Sequence, residues 1–463
     1  MLSERSTPAL VSYTPTLARS VWIGNWTRPD LSGSPDETRT PGIPCLALVR
    51  HRVRSLLTMT QMQNFKYLAL LKKHLVFNAA TPVIAYDFEE LLRFLADCEE
   101  MLKATPPLLE IPAPTVIISD IHGQYEDLHR IIDAATELAK KHRLTPRILF
   151  LGDLVDRGRA SLQCYVAVMV RVMAYPRRFF VIRGNHESIK VNERYGFKEE
   201  LLERYPEEKA RELHKAIDRV FQWTPLSAIV AQRILCVHGG IGPSIRSIDD
   251  LKNVQRPIKN TRKANSVVNH ILWSDPNPKI HMSCFNDRRN TSIFYGPGEL
   301  QRVLRALKLE CVIRGHQATQ DGVDYPFHDR KLMTLFSAPG YCKMENTGEL
   351  NNGAIVLIKP GKEGKLVFKF KSFTPQDNAY GRGADLTDEI TTADGCEPSS
   401  TTNDFDNKRM DKVSLEEVPE DSEEIDQTTE TMEAEAEESD FETYRPFVKE
   451  RMGTKTDIHM YLS

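Results

Sequence analysis

The chain has 463 residues, 41% hydrophobic and 27% charged, with a formal net charge of −3. That length allows one large domain or two ordinary ones, and no stretch reaches the roughly 20 apolar residues that a membrane-spanning helix needs. The eight cysteines (Cys45, Cys98, Cys164, Cys236, Cys284, Cys311, Cys342 and Cys396) form no CxxC pair and no dense framework. Reduced thiols and an intracellular setting, in cytoplasm or nucleus, are expected.

The start of the chain has no apolar run of the signal-peptide kind. Charge is distributed unevenly. The 25 Asp/Glu and 8 Lys/Arg from Gln376 onward give that stretch −17 and leave +14 on the rest of a chain whose total is −3. A basic body and an acidic tail permit contact with each other or with separate partners.

Residues 1–60 are rich in Ser, Thr, Pro and Arg without periodicity and read as a disordered arm. Helical patterning begins near Met62, with Phe65, Leu68, Leu70 and Leu71. A clearer helix is capped by Asp87, carries Leu91, Leu92, Phe94, Leu95, Cys98, Met101 and Leu102 on one face, and ends before Pro106-Pro107. Together these predict a helical platform beside the catalytic body.

From Thr115 short apolar runs alternate with helical stretches. Thr115–Ser119 leads into Asp120-Ile-His122. After a helix over Leu128–Leu138, Ile148–Leu151 leads into Gly152-Asp153. A helix over Leu162–Met173 precedes Phe179–Ile182, which leads into Arg183-Gly-Asn185-His186. Helices over Lys198–Tyr205 and Pro206–Phe221 follow, then Ile234–Val237 into His238, and later Cys311–Ile313 into Arg314-Gly-His316. Five predicted strands thus end in Asp, Asn or His. Ligand sites in α/β sheets gather at the carboxyl ends of strands, so one shared site is implied. Leu332–Phe336, Ala354–Ile358 and Leu366–Phe373 read as further strands. Residues 376–463 form an acidic tail expected to be mostly disordered, with Ser414 and Ser422 in acidic contexts.

Asp120, His122, Asp153, Asn185, His238 and His316 are mixed carboxylate, amide and imidazole donors of the kind that suits Mn²⁺ or Fe. Six ligands exceed the need of one open site and suggest two metals sharing a carboxylate, with an acidified water attacking phosphorus. Arg157 can fork onto phosphate oxygens. His186, directly after Asn185, is the natural general acid, and Asp156 can orient it and raise its pKa. Arg183 admits several roles. Singly, each residue has a plainer reading as cap, turn or surface group; five such elements in strand-end context give the functional one.

At Ser119-Asp-Ile-His-Gly123, Gly152-Asp-Leu-Val-Asp-Arg-Gly158, Arg183-Gly-Asn-His-Glu187, His238-Gly-Gly240, Leu272-Trp-Ser-Asp-Pro276, Arg314-Gly-His316 and Leu335-Phe-Ser-Ala-Pro-Gly-Tyr341-Cys342 the chain resembles the PPP family of metallo-dependent serine/threonine protein phosphatases. Within it the likeness is greatest to the type 1 catalytic subunit, over roughly residues 62–373. The resemblance implies an α/β fold of the metallophosphoesterase type: a β-sandwich of mixed sheets flanked by helices, with residues 61–375 as the catalytic domain. It assigns Asp120, His122 and Asp153 to one metal, and Asp153, Asn185, His238 and His316 to the other. The two ions are divalent or transition metals, Mn²⁺ first and Fe or Zn as alternatives. Arg157 and Arg288 would clamp phosphate, His186 with Asp156 would form the acid dyad, and Tyr341 would lie in the loop over the site. A hydrophobic groove for regulatory subunits would use Ile234, Cys311, Tyr325, Leu366, Phe368 and Phe370; the alternation of Leu366, Phe368 and Phe370 equally suits a half-buried strand. Three positions depart from the family pattern: Ser119 and Arg289 stand where Gly is usual, and Gly340 where Asn is usual.

The expected function is hydrolysis of phosphoserine and phosphothreonine in phosphoprotein substrates, without direct nucleic-acid or membrane partners. The alternatives are a metallophosphoesterase acting on nucleotides or small phosphate esters, and a phosphatase-like scaffold without turnover. The acidic tail, if it folds over the basic body, would compete with phosphosubstrates.

Overall fold

The computed structural model describes residues 66, 68–79 and 82–376. The N-terminal arm expected over residues 1–60 lies outside them, as does the acidic tail beyond residue 376.

After a helical segment at 68–72, chain order gives α1 (Phe88–Ala104), β1 (Leu108–Ile111), β2 (Thr115–Ile118), α2 (Tyr125–Lys141), β3 (Arg147–Phe150), α3 (Ser161–Ala174) and β4 (Phe179–Val181). Next come α4 (Ile189–Asn192), α5 (Phe197–Arg204), α6 (Glu207–Trp223), β5 (Ser227–Val230), β6 (Ile234–Val237), α7 (Ile248–Lys252) and α8 (Ser266–Trp273). The last group is β7 (Asp275–Pro276), β8 (Ser283–Phe285), β9 (Ile293–Tyr295), α9 (Pro297–Leu307), β10 (Cys311–Arg314), β11 (Val323–Asp324), β12 (Leu332–Leu335), β13 (Gly353–Pro360) and β14 (Leu366–Phe373).

Two mixed sheets carry the fold. One has the order β1-β5-β6-β10-β12-β11 and the other β14-β13-β2-β3-β4; a small third sheet is β7-β9-β8. Side chains of a strand alternate between its faces, and the core divides accordingly. Val116, Ile118, Ile148, Phe150, Ile355 and Leu357 face helices α1, α2 and α3. Their neighbours Ile117, Leu149, Val356 and Ile358 point the other way and meet Ile234, Cys236 and Ile313 of the opposing sheet. Leu235, Val237 and Val312 face outward again, onto α8 and α9. Strands buried on both faces explain why the apolar runs are continuous rather than alternating. Each such side chain contributes about 1.5–3 kcal/mol by burial, and a charge at Ile117, which has no exposed surface, would split the two sheets apart. The expected sandwich flanked by helices is the fold observed.

The platform helix begins where expected: the Asp87 side chain accepts from Glu90 N at 2.8 Å, satisfying one of the first-turn amides. Its apolar face joins the core beside β2 and β3, together with Leu70 and Leu71. His74, just beyond, sits between the Tyr125 and Tyr86 hydroxyls at 2.8 and 3.0 Å.

β2, β3 and β4 are parallel neighbours, and β6 and β10 are parallel neighbours in the facing sheet. Their carboxyl ends come out on one edge of the sandwich, which is how segments almost 200 residues apart along the chain form one site. Some elements were not expected from the sequence. β1 and β5 are four-residue strands abutting Pro112 and α6, and the β7-β9-β8 sheet has strands of two or three residues. β1 is interrupted by Glu110, neither β1 nor β5 leads into a candidate ligand that would mark its end, and runs of two or three residues show no period.

Candidate active site

The β3–α3 connection is the centre of the site. Asp153, Asp156 and Arg157 have φ of 51, 71 and 69°, a left-handed conformation that costs L-residues energy and persists only where the surroundings impose it. Asp156 N donates to Ser161 Oγ at 3.0 Å and Arg157 N to Tyr195 O at 2.7 Å, and at Asp153 the constraint is the buried carboxylate of Glu187. It accepts from the backbone N–H of Asp153 (2.8 Å), Leu154 (2.8 Å) and Gly184 (2.7 Å). Gly184 is required for this approach, because a Cβ there would lie 2.1 Å from Asp153 Oδ1. Glu187 was quoted in a motif but given no role; nothing local to it signals that its partners lie 33 and 34 residues back.

Six of the expected residues converge. His122 Nε2 lies 3.6 Å from Asp153 Oδ2 and 3.9 Å from Asp120 Oδ1. On the other side of Asp153, its Oδ2 is 3.3 Å from His238 Nε2, which lies 2.7 Å from Asn185 Oδ1 and 3.2 Å from His316 Nδ1. Backbone carbonyls set the ring tautomers. His122 Nδ1 donates to Val155 O (3.0 Å) and His238 Nδ1 donates to Leu151 O (3.1 Å). In the neutral rings each Nε2 is therefore a lone pair, and it faces carboxylate and amide oxygens that are also lone pairs. Acceptors crowded together with no donor between them form a cation site. The donor set thus fits two metal ions on either side of Asp153, and backbone bonds to the far ring nitrogen are the usual support of a metal-binding imidazole.

Protonation follows from burial. Burial, then the charge of nearby Asp153, raises Asp120 to about 6 despite the opposing pull of His238. Burial raises Asp153 to about 8 and Glu187 to about 7. It pushes His122, His238 and His316 below 6.5, leaving them neutral and ready to ligate. Ser119, one of the departures, donates from Oγ to Asp120 Oδ2 at 2.5 Å and so favours the ionised ligand. Gly340, another departure, has a φ of 64°, which glycine adopts without steric cost. Tyr341 follows it and lies over the His122 ring, centroids 4.8 Å apart and planes at 22°.

His186 Nδ1 is 2.7 Å from Asp156 Oδ2. Asn192 Nδ2 (2.8 Å) and Phe197 N (3.1 Å) also donate to that carboxylate. Three donors favour the ionised form, against burial that raises Asp156 to about 7. His186 itself is driven well below 6.5 by burial, then by the charges of Arg157, His238, Arg289 and Arg262. The expectation that Asp156 keeps this imidazole charged therefore meets an opposing field in the substrate-free site. Asn192 carried no sequence signal.

The arginines separate into structural and site groups. Arg183 is fully buried and donates to Glu187 O and Ile258 O, both at 2.9 Å, a purely architectural role. Arg157 lies 4.3 Å from the Tyr195 ring centroid at the mouth of the site. Arg288 is exposed, 5.8 Å from the Phe294 ring, and its neighbour Arg289 is the one turned inward. Arg289 is buried, with Nε 2.9 Å from Asp275 Oδ2 and Nη2 3.4 Å from His316 O. The cause is Asn286, fully buried, which donates to Asp275 Oδ2 (2.9 Å) and accepts from Arg289 N (3.1 Å). That turn presents Arg289 to the site and leaves Arg288 exposed, so Arg289, rather than the expected Arg288, becomes the candidate to meet a phosphate. Asp275 also holds Arg314 at 2.9 Å. Burial opposes ionisation of Asp275, but Arg289 and Arg314 outweigh it and hold the carboxyl below the usual range.

A calcineurin-like phosphoesterase family profile matches residues 113–320. A serine/threonine-protein phosphatase of Caenorhabditis elegans is 34% identical over 288 residues, covering 62% of this chain and 59% of that protein. The chain therefore spans less than two thirds of that relative. The serine/threonine-protein phosphatase PP1-delta of C. elegans is 33% identical over 297 residues, covering 64% of this chain and 90% of PP1-delta. The chain belongs to the serine/threonine-protein phosphatase family. Among solved structures, the chain is similar to a protein serine/threonine phosphatase from Saccharomyces cerevisiae described as similar to human phosphatase PP5. The TM-score is 0.53 and the identity 25%, over 63% of this chain and 91% of that one. The family implies a dimetal centre, and the clusters His122, Asp153, His186 and Asp153, His238, His316 are able to bind metal. Among the described residues no helix is long and apolar enough to cross a membrane.

The groove residues lie at the opposite edge of the sandwich. Ile234 and Cys311 pair at the amino ends of β6 and β10. Cys311, Tyr325, Leu366 and Phe368 pack against the inter-sheet core, and Phe370 is 40% exposed.

Proposed function

We propose that this chain hydrolyses phosphoserine and phosphothreonine esters of proteins by direct in-line attack of water, without a phosphoenzyme. The observation that carries the reading is the cluster of carboxylate, amide and imidazole ligand atoms around Asp153, bordered by a His186–Asp156 pair and two guanidiniums. Bound there, two cations would polarise the phosphoryl oxygens and supply an acidified water. Asp120, His122 and Asp153 would hold one ion, and Asp153, Asn185, His238 and His316 the other. Mn²⁺ is our first assignment, with Fe or Zn as alternatives, since imidazole with carboxylate suits first-row metals.

The chain's own groups then divide the work. Arg157 and Arg289 take phosphoryl oxygens, for which a planar fork is suited. His186 gives a proton to the leaving alcohol oxygen. That role needs an imidazolium. An arriving phosphate dianion offsets the positive charge of Arg157 and Arg289 and restores the pull of Asp156. Tyr341, lying on His122, restricts that ring and walls the site.

Replacement of Asp153 or His186 by Ala tests the mechanism, with loss of phosphopeptide turnover as the expected result. Comparing a phosphopeptide with a dinucleoside polyphosphate tests the substrate class. Preference for the dinucleotide would reject the protein phosphatase reading.

Docking of regulatory subunits belongs to the groove of Ile234, Cys311, Tyr325, Leu366, Phe368 and Phe370, where an extended peptide could add to the β14 edge. Residues 61–375 form the catalytic domain in this reading. The free thiols of Cys98, Cys164, Cys236, Cys284, Cys311 and Cys342 accord with a reducing intracellular compartment.

A further inference from the structure

Two loops border the site on its Trp273 side, and their charge is one-sided. Residues 256–263 hold Arg256, Lys259, Arg262 and Lys263 with no carboxylate, and residues 286–290 hold Arg288 and Arg289 against the single Asp287. Arg256 is used up in the fold, donating to the carbonyls of Trp223 and Thr105. Arg289 is turned onto Asp275. Lys259, Arg262, Lys263 and Arg288 are exposed.

Two contacts fix the position of Arg262. Its guanidinium carbon lies 4.3 Å from the Trp273 ring centroid, within the range of a cation–π contact. Its Nη1 donates to Arg289 O at 3.0 Å. Trp273 is itself buried and meets the His316 ring edge-on, centroids 6.0 Å apart. Arg262 is thus tied both to the loop that presents Arg289 and to the aromatic ring behind His316. An arginine held flat by stacking loses less freedom on binding an anion than a mobile lysine does.

We propose that Arg262, supported by Trp273 and backed by Lys259 and Lys263, forms a subsite for a second negative group on the substrate, next to the phosphate being hydrolysed. The enzyme would then select phosphoproteins with an acidic group close to the target phosphoserine or phosphothreonine. The shared chemistry is an anionic oxygen pair, carried by a flanking Asp or Glu carboxylate or by a second phosphomonoester. The inference rests on the phosphoprotein phosphatase reading above.

The test compares kcat/KM for phosphoserine peptides that are identical except for the flank: Ala, Glu, or a second phosphoserine. The wild-type chain is expected to prefer both anionic flanks over Ala, and Arg262→Ala to reduce that preference about five- to tenfold. Arg262→Lys should restore part of it, and Arg262→Glu should invert it. Raising salt should erode the preference in the wild-type chain, a measurement that does not depend on any variant folding. Preference for the phosphoserine flank alone would assign the subsite to phosphate, and for both flanks to anions in general. Equal kcat/KM on all three peptides, or an equal loss on all three in Arg262→Ala, would overturn the inference while leaving the phosphatase reading standing. Failure to hydrolyse any of the three by a metal-loaded wild-type chain that cleaves a small aryl phosphate would overturn the phosphoprotein reading and the inference with it.

Discussion

His186 Nδ1 lies 2.7 Å from Asp156 Oδ2, while His186 N donates to Asp153 Oδ1 at 2.9 Å. One residue is thereby tied to both carboxylates of the β3–α3 connection: its ring to the one that faces away from the metal-binding cluster, its backbone to the one at the cluster's centre. The same geometry makes the two carboxylates unequal. Asp153 is surrounded by His122 and His238, whereas Asp156 is surrounded by hydrogen-bond donors from His186, Asn192 and Phe197.

Asp156→Asn should keep the fold and lower kcat for a phosphoserine peptide about 10²- to 10⁴-fold, the usual weight of general acid catalysis. An aryl phosphate, whose leaving group needs less protonation, should suffer much less. Parallel rates on both substrates measure this. Equal losses would mean that Asp156 acts through the loop rather than through His186.

The two adjacent arginines should behave differently. Arg289→Ala is expected to cost about 10²-fold or more in kcat/KM, as loss of a preorganised donor to a developing anion does. Arg288→Ala, at an exposed position, is expected to stay within about threefold on a small phosphate ester, since exposed charges contribute little. Steady-state kinetics of the two variants would decide. The reverse ranking would return the phosphate to Arg288.

Metal binding should release protons and strengthen with pH. Asp120 and Asp153 have folded values of about 6 and about 8, above the usual carboxylate value. In the metal-free chain they favour folding while protonated, and that contribution is lost as pH rises through those values. Cations bind the ionised forms, so the holo-minus-apo difference in Tm should widen from pH 6 to pH 8. Burial depresses the ligand histidines and so favours their neutral form, and they add little. Calorimetry in buffers of differing ionisation enthalpy would count the protons. A Tm difference that narrows with pH would contradict the assignment.

Much of this site could be read before the fold was seen, because strand ends carry their chemistry locally. Asp120, Asp153, Asn185, His238 and His316 each come within three residues of the end of an apolar run, and the strands β2, β3, β4, β6 and β10 bring those ends to one edge. What the sequence concealed depends on contacts between distant segments. Arg288 and Arg289 are adjacent and chemically identical, and only the buried Asn286–Asp275 contact determines which turns inward. Asn192 and Glu187 act on residues 33 to 36 positions earlier. The strands β7, β8 and β9 are too short to show a period, and β1 and β5 lead into no ligand residue that would mark them.

The most direct test of the central claim is a metal titration of the stripped chain, read as single-turnover hydrolysis of a phosphoserine peptide. The account predicts no hydrolysis in the stripped chain, activity that rises with Mn²⁺ and saturates at about two ions per chain, and release of inorganic phosphate without a phosphorylated protein intermediate. Full hydrolysis by the stripped chain, or a phosphate label trapped on the protein, would contradict it.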